Sequence, residues 1–146
     1  MSLFDAAGGA PALLALAADF HRRCLADPVL EHPFGHRISP DHVQHLADYW
    51  GEVFGGPPVF TQQHGGHLAM LRLHAHQGAH GDIGDRFIAC FDAAAEQTIT
   101  NPAARAAMSA YIRQATAEVM SYSPRNAVLP ETAPMPHWQI TSPHTF

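Results

Sequence analysis

Glycine and proline divide this chain into segments of helical length, and that punctuation constrains the fold more than any other feature of the sequence. Within the segments, apolar residues recur every three or four positions, as in the last one, where Met108, Ile112, Ala115 and Val119 follow this spacing. The pattern predicts helices over residues 11–26, 40–54, 67–75, 82–98 and 102–121. Strand patterns are nearly absent, so we expect an all-α fold.

The segments between these helices carry their own signals. Ser39 and Asn101 are each followed by proline, which predicts an N-cap and a first helical residue at both places. We expect a turn over residues 28–37 and a loop rich in Gly and Gln before residue 67. After Ser123 there are five prolines in 23 residues, which predicts an extended tail pinned by Trp138 and Ile140. We therefore divide the chain into a helical domain over residues 1–123 and a tail over residues 124–146.

Length, charge and cysteine content limit the class of protein. A chain of 146 residues fits one domain that can enclose a pocket. The formal net charge is −5 and lysine is absent, so there is no basic surface for nucleic acid. Neither a secretory signal nor a membrane-spanning run is recognisable, so we expect a cytoplasmic protein that does not enter the membrane. Cys24 and Cys90 lie in apolar helical patterns without CxxC spacing, which predicts buried, reduced thiols.

Histidine is the unusual component, because twelve histidines outnumber the eight arginines. Nine lie in loops, near Gly or Pro, or on polar helix faces, and we expect these imidazoles to be exposed: His32, His36, His45, His64, His67, His76, His80, His137 and His144. The pairs His32/His36 and His76/His80 have the i, i+4 spacing of ligands for Zn²⁺, Cu²⁺ or Ni²⁺. Pro33, Gly35 and Gly78 interrupt them, so a non-haem metal protein stays an alternative only, beside a ligand-free helical adaptor.

The other three histidines lie in apolar surroundings. His42 shares a helical face with Leu46, Tyr49 and Val53, and His21 follows Phe20. His74 ends the short helix in the segment MLRLHAH, flanked by Leu71 and Leu73. A buried imidazole without a partner costs roughly 1–3 kcal/mol, so three inward histidines indicate a ligand-filled pocket. A small helical chain with this interior fits an enclosed haem held by one axial imidazole.

The sequence resembles the truncated haemoglobins, most closely group II of that family. The resemblance covers about residues 2–121 and rests on the order and spacing of several short motifs. These are SLFDAAGGAPAL, Phe20-His21, Asp27-Pro28-Val29-Leu30, Phe34, the segment from His42 to Val53, Gly55-Gly56-Pro57, MLRLHAH and DRFIACF. The resemblance implies a globin in which two pairs of helices enclose a haem b.

The resemblance also implies roles for individual residues. His74 falls on the proximal iron ligand, His42 and His21 fall on two distal positions, and the remaining contacts of the haem fall on Phe34, Leu46, Tyr49, Trp50, Leu71 and Phe87. Arg72 is the candidate partner of a haem propionate. The family's usual distal tyrosine and tryptophan are replaced by His21 and Phe87, and its Pro-Phe after the proximal histidine is missing. His76 is therefore a rival ligand, but only His74 keeps the thirteen-residue interval to Phe87.

The implied function is the binding of O₂, NO or CO at a histidine-ligated iron, with two histidines on the ligand side. Enzymatic alternatives are removal of NO by dioxygenation and slow peroxidase chemistry, because neutral imidazoles beside iron resemble the acid–base groups that cleave peroxide. Either activity requires a reductase that the sequence does not identify. The chain could act as a monomer or a homodimer.

Overall fold

In the computed structural model, which describes residues 1–31, 41–78 and 82–140, every regular element is a helix and no strand occurs within those ranges. The helices are α1 (Leu3–Ala7), α2 (Gly9–Ala26), α3 (His42–Val53), α4 (Val59–His64), α5 (Gly66–His74), α6 (Ile83–Thr98) and α7 (Pro102–Ser121). The all-α prediction is confirmed. All five predicted helices are present, with ends that differ from the predicted ones by two residues at most.

Local signals account for several of the helix ends. The side chain of Asn101 accepts hydrogen bonds from the backbone N–H groups of Ala103 and Ala104, at 2.9 and 3.2 Å, and Pro102 opens α7 as predicted. The start of α3 differs, because the helix begins at His42 with Asp41 at the N-cap, and the predicted cap Ser39 lies outside the described residues. Gly8 ends α1 with φ of 113°, a left-handed conformation that side chains disfavour.

The core lies where α2 packs against α3 and α6, and α6 in turn packs against α7. Phe20 of α2, Trp50 of α3 and Phe91 of α6 meet edge to face with ring centroids 5.0 to 6.2 Å apart. This aromatic cluster fixes the face of α3 that turns inward. It thereby sets the position of His42 two turns earlier on the same helix.

Two short helices were not predicted. α1 precedes the first predicted helix, and α4 lies in the segment expected to be a Gly- and Gln-rich loop. The reason for α4 is tertiary: the buried Glu52 carboxylate accepts hydrogen bonds from the backbone N–H of Thr61, at 2.8 Å, and from its hydroxyl. Phe60 adds an apolar anchor against Tyr49. A six-residue helix is marginal by itself, so these contacts stabilise it.

The described part of the tail, residues 124–140, lies against the helices. Residues 124–140 contain no helix. The backbone N–H of Trp138 donates to the carbonyl of Val53 at 2.8 Å, and the indole packs edge to face on Tyr111 with ring centroids 5.7 Å apart. Trp138 is buried and Ile140 is partly buried against the same core. Both residues pin the tail.

Cys24 and Cys90 are both free thiols, as predicted, but only Cys24 is fully buried, because Cys90 lies partly exposed on α6.

Within the three described ranges, no helix combines the length and the hydropathy that crossing a bilayer requires.

Candidate functional site

A cleft between α3, α5, α6 and α7 contains most of the predicted site residues. Its volume is about 140 Å³ and its mouth opens to solvent, so a large planar ligand would be only partly enclosed unless the walls move. The lining is mainly apolar and aromatic, with an imidazole from α3 and another from α5. Its residues are Phe20, His42, Leu46, Tyr49, Trp50, Met70, His74, Phe87, Tyr111, Ile112, Ala115, Thr116, Val119 and Met120.

His74 is held with one ring nitrogen available to the cleft. Its Nδ1–H donates to the backbone carbonyl of Met70 at 2.8 Å, and because a carbonyl can only accept, the proton is on Nδ1. Nε2 of the neutral ring therefore carries the lone pair. The prediction that His74 is turned inward among apolar residues is wrong in part, since its side chain is itself exposed at the edge of the cleft. Leu73 is 73% exposed, and only Leu71 is buried.

His21 and His42 form a pair. Their Nδ1 atoms are 3.0 Å apart, which joins α2 to α3 by a hydrogen bond between two side chains. Burial lowers the pKa of His42 to about 4, helped by the nearby imidazoles of His21, His74 and His45, and burial also lowers the pKa of His21. Both rings are therefore neutral at pH 7, so one Nδ1 donates and the other accepts.

The remaining predicted residues divide into those that line the cleft and those that do not. Leu46, Tyr49, Trp50 and Phe87 line it, and Phe87 stacks on Phe20 at 6.1 Å. His21 reaches the cleft only through His42. Leu71 is buried beside the cleft and Arg72 is exposed, and neither is part of the lining. Phe34 lies outside the described residues.

The wall of the cleft that α7 forms was not predicted from the sequence. Six lining residues come from α7, namely Tyr111, Ile112, Ala115, Thr116, Val119 and Met120. The apolar stripe of α7 was visible in the sequence, but periodicity shows only that a face is buried and not which cavity it faces. Phe20 and Met70 are the other two lining residues that were not predicted. Phe20 directly precedes His21, and Met70 lies one helical turn before His74.

The prediction that nine of the histidines are exposed is wrong for His67. It is only 4% exposed, and its ring bridges the Tyr49 hydroxyl, 2.8 Å from Nδ1, and Glu118 Oε1, 3.0 Å from Nε2. The neighbouring glycines Gly65 and Gly66 suggested a loop, whereas α5 begins there and turns the ring inward.

The alternative of a non-haem metal centre depends on the pairs His32/His36 and His76/His80. His32, His36 and His80 lie outside the described residues. Nε2–H of His76 donates to the Ala127 carbonyl at 2.6 Å. No group of three His, Cys, Asp or Glu side chains suited to a metal ion occurs in residues 1–31, 41–78 and 82–140.

The arrangement of helices is that of a truncated globin, a class of small all-α haem protein. A model of the bacterial-like globins matches residues 2–121, and the chain therefore belongs to the bacterial-like globin family. Membership implies that it binds haem and small gaseous ligands.

Solved structures agree with this assignment. The haemoglobin of Chloroflexus aurantiacus is 25% identical and superposes with a TM-score of 0.72, covering 82% of this chain and 97% of its own. The group II 2-on-2 haemoglobin of Agrobacterium tumefaciens is 24% identical, with a TM-score of 0.71, over 82% and 93% of the two chains. The thermostable haemoglobin of Thermobifida fusca is 22% identical, with a TM-score of 0.69, over 90% and 100%. No curated protein matches the chain.

Proposed function

We propose that this globin holds a haem b through Nε2 of His74 and binds diatomic ligands on the opposite side, next to His42 and His21. The observation that carries the proposal is the hydrogen bond from His74 Nδ1–H to the Met70 carbonyl. A histidine that ligates a metal typically donates its second ring N–H to a carbonyl or carboxylate, which fixes the tautomer and the ring orientation. A ferrous haem held by one imidazole binds O₂, NO or CO at its open position.

The chain's own residues supply the surroundings of that haem. Leu46, Trp50 and Phe87 give apolar walls, which keep water away from the site. Tyr49 and the buried Leu71 support the ring from α3 and α5. We propose the exposed Arg72 as the partner of a haem propionate, since a guanidinium pairs well with a carboxylate. We also keep Phe34 as a haem contact, on the strength of the resemblance alone.

The histidine pair controls the proton nearest to the ligand. If His21 Nδ1–H donates to Nδ1 of His42, the neutral ring of His42 carries its proton on Nε2. His42 then acts as a hydrogen-bond donor in the cleft, and His21 is the positioning residue that selects this tautomer. A charge-assisted hydrogen bond to a ligand that gains partial negative charge contributes roughly 1.5–3 kcal/mol.

A peroxidase activity is the second candidate, and one observation favours it. In the other tautomer of the pair, Nδ1–H of His42 donates to His21 and Nε2 of His42 carries a lone pair. Because the pKa of His42 is lowered to about 4, this ring is neutral at physiological pH and can take a proton from hydrogen peroxide. NO dioxygenation would use the donor tautomer of His42 instead. Both activities need an electron source, for which we propose a cytoplasmic reductase.

Substitution of the proximal histidine tests the proposal directly. Protein produced with an adequate haem supply should be red, with strong absorbance at about 400 nm, and His74→Ala should remove most of that absorbance because the iron loses its ligand. His76→Ala is the matched control, since His76 is the rival in the same segment. A colourless wild-type protein, or loss of haem from the His76 variant alone, would contradict the assignment.

A further inference from the structure

A second cavity adjoins the cleft at Tyr49. Its volume is about 460 Å³, it is open to solvent, and it is lined by α3, α5, α7 and the extended tail, with Tyr49, His67, Glu118 and Trp138 among its lining residues. Tyr49, Tyr111 and Ala115 line both this cavity and the cleft. The side chain of Tyr49 therefore borders both the proposed haem site and a space that no predicted function uses.

A chain of hydrogen bonds runs from this phenol to solvent. In the tautomer with its proton on Nε2, His67 donates to the Glu118 carboxylate at 3.0 Å, and its Nδ1 accepts from the Tyr49 O–H at 2.8 Å. Tyr49 and His67 are buried, at 6% and 4% exposure. The Glu118 side chain is 39% exposed, so the chain ends at the surface.

This arrangement is more than a way to satisfy a buried hydroxyl. A hydroxyl can be satisfied by any backbone carbonyl, whereas here the acceptor is a base whose protonated form a carboxylate stabilises. Burial and the adjacent Tyr111 raise the pKa of Tyr49, so its phenol stays protonated in the physiological range. A buried phenol can lose an electron easily only if its proton leaves at the same time, and His67 is positioned to receive it.

We propose that Tyr49 donates one electron to the haem cleft while His67 Nδ1 takes its proton. The inference rests on the proposed function, because the electron goes to a bound haem that hydrogen peroxide has oxidised. In this step Tyr49 loses one electron and one proton and becomes a neutral phenoxyl radical. The electron would pass to an oxidised haem held in the cleft, and His67 would become an imidazolium paired with Glu118. Tyr49 is thereby a redox-active residue, and His67 and Glu118 are its positioning residues.

Electron paramagnetic resonance tests the identity of the donor. The ferric holoprotein is mixed with hydrogen peroxide and frozen, and the tyrosyl radical signal is compared among the three tyrosine variants. We expect Tyr49→Phe to remove most of the signal, while Tyr122→Phe, the control outside the hydrogen-bonded chain, keeps it. A full signal in Tyr49→Phe, or its loss in Tyr111→Phe alone, would overturn the assignment to Tyr49.

The role of His67 needs a variant that keeps the hydrogen bonds. The amide of His67→Gln can accept from Tyr49 and donate to Glu118, but it is not a base. Tyrosine oxidation after a light flash, with a ruthenium polypyridyl photo-oxidant added to the protein, should slow roughly a hundredfold at pH 7 in this variant, the lower range for loss of a general base. Glu118→Gln should slow it less. An unchanged rate in His67→Gln would overturn the proton transfer.

The flash experiment also separates this inference from the proposed function, because the photo-oxidant replaces the haem. A protein that fails to bind haem contradicts the proposed function, yet its flash kinetics still report on Tyr49 and His67. A protein that binds haem normally but oxidises Tyr49 without the help of His67 contradicts only the inference. Circular dichroism of each variant confirms that the helices are retained.

Discussion

At the scale of single residues, three imidazoles near the cleft are each hydrogen-bonded to a different kind of neighbour. The partner of His74 is a backbone carbonyl, that of His42 is a second imidazole, and that of His67 is a carboxylate. In the tautomers that we propose, the three rings present different atoms to their surroundings: a lone pair, a donor and a proton acceptor. The same residue type thus serves three chemical purposes, which depend on the partner and not on histidine itself.

The donor role assigned to His42 leads to a prediction about ligand release. His42→Leu should raise the rate of O₂ dissociation by roughly tenfold or more, because a charge-assisted hydrogen bond of about 1.5 kcal/mol or more is lost. Stopped-flow displacement of O₂ by CO measures this rate. His45→Leu is the matched control on the same helix, since His45 packs on His64 and does not line the cleft. A dissociation rate unchanged in His42→Leu would move the donor role to His21 or to water.

At the scale of elements, α3 positions most of the site. It places His42 and Leu46 at the cleft, Tyr49 at the border of both cavities and Trp50 in the aromatic core, all within twelve residues. The tail packs at the C-terminal end of α3, where the backbone N–H of Trp138 donates a hydrogen bond to the carbonyl of Val53, the last residue of the helix. The tail is therefore part of the folded body, although its sequence contains little periodicity.

Removal of the tail's anchor should destabilise the whole protein. Trp138→Ala should lower the free energy of unfolding by roughly 3 kcal/mol, since a buried indole and its contact with Tyr111 are lost. Urea denaturation followed by circular dichroism measures the change, with the exposed neighbour His137→Ala as the control. Equal stability of Trp138→Ala and the wild type would show that the tail is not needed for the fold.

At the scale of the whole molecule, stability should fall in mild acid. The pKa of His42 moves from 6.5 in the unfolded chain to about 4 in the folded one. Between these values the unfolded chain binds a proton that the folded chain does not, so unfolding becomes easier as the pH falls from 6.5 to 4. The full difference corresponds to roughly 3 kcal/mol. Because solvent screens the partly exposed ring, we expect about 1–2 kcal/mol.

A variant without this imidazole isolates the effect. Urea unfolding at a series of pH values from 7 to 4 should give a smaller loss of stability in His42→Phe than in the wild type. His137→Gln, which removes an exposed imidazole, should follow the wild-type curve. If the wild type and His42→Phe lose stability in parallel, the acid sensitivity arises from other groups.

The sequence by itself determined the helices, their approximate ends and the face of α3 that carries His42. These depend on local physics: backbone hydrogen bonds join residues four apart, and the same spacing brings His42, Leu46, Tyr49 and Val53 to one side of α3. The caps at Asn101 and the stop at Gly55-Gly56 are likewise short-range. For that reason the fold class could be predicted from the residues alone.

Only the tertiary structure decided the features that join distant parts of the chain. The Tyr49–His67–Glu118 chain spans partners 18 and 51 residues apart, and the tail reaches back from Trp138 to Val53. α4 exists because Glu52 binds Thr61, although its six residues alone would favour no helix. Such contacts depend on how whole helices pack, and neither periodicity nor capping encodes which residues meet. The burial of His67 is therefore a property of the folded molecule that its local sequence conceals.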